Sequence, residues 1–216
     1  MNVNKNHGPL SQYYLDRFKQ VVDNAMKDHT RVMAFRVDLR LPDGNQHTGE
    51  DSAVITRFFE SLKAQIRAHQ MANKKKGIRV YRCKLRYAWV REFGSEKRKK
   101  HYHVVIIINK DAYGWPGEIN SHLENKRGVI LLMVFRAWRR AVKKNNKIKD
   151  KDKDKDKDKK EGKSLVYMPA IYYYLNANDE DHKKTYDALM YHISYMAKLK
   201  TKNTDDGERN FGCSQG

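Results

Sequence analysis

The chain has 216 residues, with 45 Lys and Arg against 26 Asp and Glu and a formal net charge of +19. This length allows one domain with a hydrophobic core, and the charge excess favours a polyanionic partner, because each Lys or Arg placed on a phosphate releases counterions. Two widely separated cysteines exclude a disulfide framework and a Cys-rich zinc site, and the lack of a long apolar run excludes a signal peptide and a membrane span, so we expect a soluble intracellular protein.

The first part of the chain has a helical, then an extended, then a helical pattern. Residues 10–28 are predicted to be a helix, and residues 31–42 a strand with a period of two. Residues 51–72 are predicted to form a long helix with Asp51 or Ser52 as its N-cap. The strand has an apolar face, formed by Met33, Phe35, Val37 and Leu39, and a second face, formed by Ala34, Arg36, Asp38 and Arg40.

The next two strands are predicted to form a hairpin. Residues 78–93 alternate again, and residues 101–109 contain an apolar run, HYHVVIIIN, after a turn at 94–99. The polar face of the first of these strands contains Arg82, Lys84, Arg86 and Glu92. The strands at 31–42 and 78–93 each have an apolar face and, on the other side, a basic face. We therefore expect one face of the sheet to be free to bind nucleic acid.

The second half is predicted to contain a helix within 118–144, a strand at 164–175 and a final helix at 179–202. Between the first two, Lys and Asp alternate without an apolar residue, which predicts a disordered Lys/Asp-rich loop at about 144–163. The order of elements predicts an α+β fold, a two-layer sandwich with a central antiparallel sheet and helices on one face. We expect one domain over residues 1–216.

The sequence HYH suggests a metal site. Residues i and i+2 of a strand point to the same side, so His101 and His103 share a face. If residues 93–100 form the hairpin loop, Glu92 lies opposite His101, and the two imidazoles and one carboxylate form a ligand set suited to a divalent metal. A His-x-His pair alone is more typical of an ordinary strand end, so the metal hypothesis depends on Glu92.

The final predicted helix carries a polar stripe of Tyr191, Tyr195, Lys198 and Lys202. Tyrosines at this spacing are often packing or stacking residues, yet these lie opposite the apolar stripe. We expect the nearby lysine to favour the phenolate and to stabilise a phosphorane-like transition state. A metal that polarises a phosphate and a tyrosine that attacks the phosphorus would together open a phosphodiester.

These motifs resemble those of a known superfamily. HYHVVIII with Glu92 before it, and YHISYMAKLK near the end, are similar to the three-motif pattern of the HUH endonucleases, which include rolling-circle replication initiators and relaxases. The blocks FRVDLRLP, YAWVREFGSEKRKKHYHVVIIINKDAYG and SYMAKLKTKNTDDGERNFGCSQ more narrowly resemble the inovirus replication-initiator (YagK/YfjJ C-terminal-like) family. The resemblance covers residues from about 31 to the C-terminus, and the Lys/Asp-rich run is no part of its pattern.

The resemblance implies an HUH/RRM-like palm and a role for each matching residue. His101, His103 and Glu92 would bind Mg²⁺ or Mn²⁺. Tyr195 would be the primary nucleophile, leaving a 5′-phosphotyrosine link, with Tyr191 as the second nucleophile. The remaining matched residues would be Lys198 as the accompanying lysine and Arg36, Asp38 and Arg40 on the DNA-binding face, to which the basic strand pattern adds Arg82, Lys84 and Arg86.

The function implied is metal-dependent nicking and joining of single-stranded or hairpin origin DNA, which would start rolling-circle replication of a phage or mobile element in a bacterial cytoplasm. The chain has no helicase-like region, so unwinding would require a separate helicase. Two alternatives stay open. A DNA-binding or regulatory protein of the same fold would not need its tyrosine hydroxyls, and a metal-dependent hydrolase would form no covalent intermediate.

Overall fold

The computed structural model describes residues 2–42, 52–94, 100–114, 128–143, 165–169 and 171–216. The predicted Lys/Asp-rich loop lies outside the described residues, as do 95–99 of the hairpin turn. The helices are α1 (Gln12–Asp28), α2 (Val54–Lys75), α3 (Lys110–Tyr113), α4 (Val129–Lys143) and α5 (His182–Ser194), which a 3-10 helix, Tyr195–Ala197, follows. The strands are β1 (Arg31–Arg40), β2 (Arg86–Phe93), β3 (Lys100–Asn109), β4 (Val166–Tyr167), β5 (Tyr172–Asn176) and β6 (Phe211–Cys213).

All six strands belong to one antiparallel sheet. Its order is β4-β1-β3-β2-β6, and β5 pairs with the same edge of β1 as β4. The predicted hairpin register is confirmed, because Glu92 pairs with His101 across β2 and β3. The long central strands β1 and β3 pair over nine residues each, from Val32 opposite Asn109 to Arg40 opposite His101.

The predicted α+β class and antiparallel sheet are confirmed, but the helices cover both faces of the sheet. The apolar face of β1 predicted from the sequence packs under α2 and α4. On the other face, Val32 and Ala34 of β1 and Val105 and Ile107 of β3 are also buried, with α1 and α5 over them. Because half of this second face is apolar, it also needs a cover, and the expectation of helices on one face and a free basic face on the other was wrong.

Several predicted boundaries also change. The N-cap of α2 is Ala53, without a side-chain cap bond. Residues 78–85 are not part of β2, and the predicted strand at 164–175 is divided into β4 and β5. The predicted final helix ends at Ser194, so Lys198 and Lys202 do not continue its stripe. In the described part of the chain, no helix is long and apolar enough to cross a membrane.

Candidate active site

The candidate site lies on the sheet face that α1 and α5 cover, at the end of the sheet that those helices leave open. Two rows of paired residues cross the three central strands there. One row joins Glu92, His101 and Arg40, and the next joins Val90, His103 and Asp38. The period-two geometry of strands places the polar members of both rows on one face, as the sequence predicted for the two histidines and Glu92.

The three candidate metal ligands converge at this end. Ligand atoms of Glu92, His101 and His103 all lie within 4.8 Å of one another, so the three residues could hold a metal ion. The Nδ1 of His103 donates to Oδ1 of Asp38 at 2.6 Å, and its Nε2 lies 3.4 Å from Oε2 of Glu92. An aspartate on the far nitrogen of a ligating histidine orients the ring and raises its basicity, as is common behind histidines that bind metals.

The donor set fits a divalent metal with open coordination positions. Two imidazole nitrogens and one carboxylate oxygen, with a supporting aspartate behind one ring, accept Mn²⁺ and softer ions readily. Burial alone would lower the pKa of His103, but the bonds to Asp38 and Glu92 outweigh it and raise that pKa. The two carboxylates therefore favour the positively charged form of His103.

Two lysines contact the Glu92 carboxylate. Lys198 Nζ lies 2.7 Å from Oε2, and Lys202 Nζ donates to Oε1 at 2.9 Å. Burial opposes the ionisation of Glu92, yet the His103 hydrogen bond and the Lys202 charge hold its pKa well below the usual range. Burial in turn lowers the pKa of Lys202 to about 8. Both Glu92 oxygens are thus already paired with ammonium groups.

Tyr195 lies against the cluster of candidate metal ligands. Its ring is 5.8 Å from that of His103, centroid to centroid, and its hydroxyl oxygen accepts a hydrogen bond from Arg36. Lys198 Nζ lies 4.9 Å from the ring centroid. Burial nevertheless raises the pKa of Tyr195, and the opposing Arg36 charge does not offset it. The expected phenolate character is therefore wrong for this arrangement, because the hydroxyl is largely removed from water.

Both predicted nucleophiles line one open pocket. Its volume is about 470 Å³, and Arg36, His103, Tyr191, Tyr195 and Lys198 are among the residues around it. Tyr191 is 39% exposed, while Tyr195 is mostly buried. The two tyrosines therefore share one entrance but differ in their contacts, since only Tyr195 touches the histidine cluster.

The N-terminal segment forms part of this pocket. Asn4 and His7 line it, and the His7 ring is 5.5 Å from the Tyr195 ring. Backbone bonds from Ser11 to Ala197 and from Leu199 to Pro9 hold the segment against the 3-10 helix. Sequence reasoning missed this wall because residues 2–10 have no periodic pattern.

The residues predicted to contact DNA do not lie together. Arg36 and Asp38 lie inside the site, where they bind each other at 3.1 Å and serve Tyr195 and His103. Arg40 is at the exposed end of β1. Lys84 and Arg86 lie towards the opposite end of the sheet, and both pair with Asp28.

Arg86 is not available to DNA. Its side chain is buried, its Nε donates to Asp28 at 2.7 Å, and its Nη1 donates to the carbonyl of Gln215. α1 packs over β2 here, which turns a predicted basic face into a buried ion pair. Arg82 is exposed beyond the start of β2 and away from the histidines.

Three contacts in the site were not predicted from the sequence. They are Asp38 on the ring of His103, Arg36 on the Tyr195 hydroxyl, and Lys202 on Glu92. The pattern RVDLR offered a signal for the first two, since an aspartate between arginines on one strand face is typical of a paired polar cluster. Lys202 had no comparable signal, because its position depends on where the chain leaves the 3-10 helix.

The chain matches two known proteins over nearly the whole length of each. The family model described as the YagK/YfjJ C-terminal domain matches residues 1–214. The chain is 33% identical to the uncharacterized protein YfjJ of Escherichia coli (strain K12) over 225 residues, covering 100% of both chains. It is 31% identical to the uncharacterized protein YagK of the same strain over 217 residues, covering 97% of this chain and 95% of the relative. No solved structure matches it.

Proposed function

The chain belongs to the YagK/YfjJ C-terminal domain family, and on that premise we propose that it is an HUH-type endonuclease, a metal-dependent enzyme that nicks and rejoins single-stranded DNA through a 5′-phosphotyrosine link. Its role would be to start rolling-circle replication of a phage or mobile element, with a separate helicase to unwind the duplex. The substrate would be a single-stranded or hairpin origin.

One observation carries the proposal: a tyrosine hydroxyl, a triad of side chains that could hold a metal ion and an open pocket lie together. The Tyr195 ring is 5.8 Å from the His103 ring, and both residues line the pocket. Either the tyrosine or the triad alone would have an ordinary structural explanation. Their meeting, from strands and a helix about ninety residues apart in the sequence, is what a nucleophile beside a phosphate-activating cation requires.

In the proposed reaction the Tyr195 oxygen attacks the scissile phosphorus and loses its proton. The bond between the phosphorus and the 3′ oxygen breaks, and that oxygen takes up a proton to leave as a 3′-hydroxyl. The guanidinium of Arg36, already on the tyrosine oxygen, stabilises the phenolate as it forms. Rejoining is the reverse, and because the phosphotyrosine retains the bond energy, the reaction needs no nucleotide cofactor.

Glu92, His101 and His103 would hold the metal, and bound Mg²⁺ or Mn²⁺ would polarise an oxygen of the scissile phosphate. Asp38 keeps the His103 ring turned towards Glu92. Lys198, between the Tyr195 ring and Glu92, adds positive charge beside the pocket. Tyr191, at the exposed side of the pocket, is suited to accept a second strand end after replication.

The test is covalent capture. The wild-type protein is incubated with end-labelled single-stranded oligonucleotides that contain hairpins, with Mn²⁺ or with EDTA, and the products are separated under denaturing conditions. We expect a protein–DNA band that resists denaturation, appears only with the metal, and is lost in His103→Ala. His182→Ala, at the other end of α5, is the matched histidine control and should leave the band intact.

Each alternative function has its own outcome in this experiment. Salt-dependent DNA binding with no adduct on any hairpin substrate would replace the proposal with a non-catalytic DNA-binding protein. Metal-dependent cleavage without an adduct would replace it with a hydrolase that uses water.

A further inference from the structure

A long stretch of the chain carries positive charge without any acidic residue. Between Glu60 and Glu92 there are ten Lys and Arg and no Asp or Glu. The whole stretch lies in the described part of the chain and covers most of α2, the connection that follows it, and β2. A surface that serves only solubility normally carries both positive and negative side chains, so a stretch with positive charge alone suggests a negatively charged partner.

Three of the ten basic residues have internal partners. Arg86 and Lys84 pair with Asp28, and Arg91 pairs with Asp206 and Glu208. The other seven side chains are exposed and make no ion pair with any residue that the structure describes. They are Lys63, Arg67, Lys74, Lys75, Lys76, Arg79 and Arg82, and we call them the α2 basic surface.

The α2 basic surface is held together by the fold. Lys63, Arg67 and Lys74 follow one helical stripe at i, i+4 and i+11, so they lie along roughly 16 Å of α2. The connection 78–85 returns beside that stripe, because Gln70 Nε2 donates to the Tyr81 carbonyl at 2.8 Å. An open groove of about 480 Å³ lies between the stripe and residues 83–87.

The chemistry of this surface matches a phosphate backbone better than unstacked bases. Its aromatic rings are already engaged: Arg79 lies 4.7 Å over Tyr81, and Tyr87 stacks on Phe59 at 3.5 Å. Single-strand binding depends on free aromatic faces for the bases, whereas duplex binding needs an array of Lys and Arg along two phosphate rows. A charged stripe of this length spans about five base-pair steps at about 3.4 Å each.

We infer that the α2 basic surface is a second DNA site, which binds double-stranded DNA through its backbone and is separate from the cleavage site. The choice of DNA as the polyanion rests on the proposed function. α2 packs on the sheet face opposite the histidines, and the stripe lies near the start of β2 while Glu92 lies near its end. The protein would thus hold a duplex arm while a single strand occupies the pocket of Tyr195.

The test measures duplex binding without cleavage. Fluorescence anisotropy in EDTA follows a labelled 20-base-pair duplex and the corresponding single strand over a KCl titration. The variant combines Lys63→Gln, Arg67→Gln and Lys74→Gln, because Gln is a good helix former and these positions are exposed. We expect duplex affinity to fall at least tenfold and the slope of log K against log salt to fall by about 0.9 for each lost phosphate contact.

The matched control is a second triple variant with the same loss of charge, Lys19→Gln, Lys183→Gln and Lys184→Gln, on α1 and α5, which cover the other face. It should lose far less duplex affinity. Equal losses in the two triple variants, an equal loss of single-strand and duplex binding, or no duplex binding by the wild type would overturn the inference. Thermal unfolding monitors folding in both.

Failure of this inference can be told from failure of the proposed function. The α2 variant should still form the covalent adduct with a short single-stranded oligonucleotide in Mn²⁺, since it retains Tyr195 and the triad. An adduct without duplex binding would reject only the second site. Duplex binding that depends on α2, with no adduct from the wild type, would reject only the nuclease.

Discussion

Lys202 donates to Oε1 of Glu92 at 2.9 Å, and this contact links the segment after the 3-10 helix to the candidate metal site. Lys198 is 2.7 Å from the other oxygen of the same carboxylate. Three basic side chains therefore lie against the Glu92 carboxylate: the two lysines and His103. A cation that binds Glu92 must share the carboxylate with these ammonium groups or displace one of them.

Replacing Lys202 with Met should therefore strengthen Mn²⁺ binding. The change removes a buried positive charge beside a ligand and retains the packing of the stem, so we expect affinity to rise roughly tenfold, or about 1.4 kcal/mol. In the wild type, affinity should also rise with pH through the Lys202 pKa of about 8, because the ammonium then loses its charge. That part of the pH dependence should be absent in Lys202→Met.

Isothermal titration with Mn²⁺ from pH 6.5 to 9 measures both effects. Lys200→Met is the matched control, because Lys200 is exposed and two residues away. Weaker Mn²⁺ binding by Lys202→Met than by Lys200→Met would contradict the assignment of Lys202 as a competitor for Glu92.

The two tyrosines should differ in their effects on the covalent step. Tyr195→Phe removes the hydroxyl that contacts Arg36 beside the triad, and we expect it to abolish the adduct. Tyr191→Phe should leave the first adduct within about threefold of the wild type and impair transfer to a second strand. Denaturing gels with labelled donor and acceptor strands measure both steps. Tyr13→Phe, at an exposed position of α1, is the control, and loss of the first adduct in Tyr191→Phe alone would reverse the assignment.

Asp38 should act on the metal through His103. Asp38→Asn keeps the shape of the side chain but removes the carboxylate that accepts from Nδ1, so the ring loses the charge that orients it. We expect Mn²⁺ affinity to fall by roughly 10- to 100-fold, with little change in the salt dependence of DNA binding. Titration calorimetry gives the first quantity and anisotropy the second. Asp187 of α5 is half-exposed and far from the triad, so Asp187→Asn should change neither quantity. Unchanged Mn²⁺ affinity in Asp38→Asn would contradict the positioning role of Asp38.

The pairing of Glu92 with His101 could be predicted because it depends on local rules alone. Alternation in residues 86–93 and 101–109 sets which face each residue occupies, and a short hairpin leaves one register that is consistent with both. The same rules placed the apolar face of β1 correctly. A single sequence is sufficient to predict a feature that depends only on strand alternation and hairpin geometry.

The cover of the second sheet face could not be predicted in the same way. Arg36, Asp38 and Arg86 made that face look basic and open, but these side chains bind Tyr195, His103 and Asp28, which lie far away in the sequence. Lys202 is the clearest case. A continued helix would have carried it along the stripe of Tyr191, whereas the chain leaves the helical conformation at Lys198, with ψ of 140°, and returns to Glu92.

Arg91 holds the segment that brings Lys202 to the site, and its loss should destabilise the protein. Its buried guanidinium donates to Asp206 and Glu208 at 2.6 to 2.8 Å and to the side chain of Asn210. Arg91→Met would leave the two carboxylates without their main partner, and because both are only partly buried we expect a loss of about 2 to 3 kcal/mol in the free energy of unfolding. Urea denaturation measures it.

Arg209→Met, in the same segment but exposed, is the control and should change stability by less than about 0.5 kcal/mol. If the segment depends on Arg91, Arg91→Met should also strengthen Mn²⁺ binding, as Lys202→Met does, because Lys202 is then no longer held against Glu92. A variant that loses stability but keeps wild-type Mn²⁺ affinity would show that Lys202 reaches Glu92 without the Arg91 cluster, and the coupling between the two would be rejected.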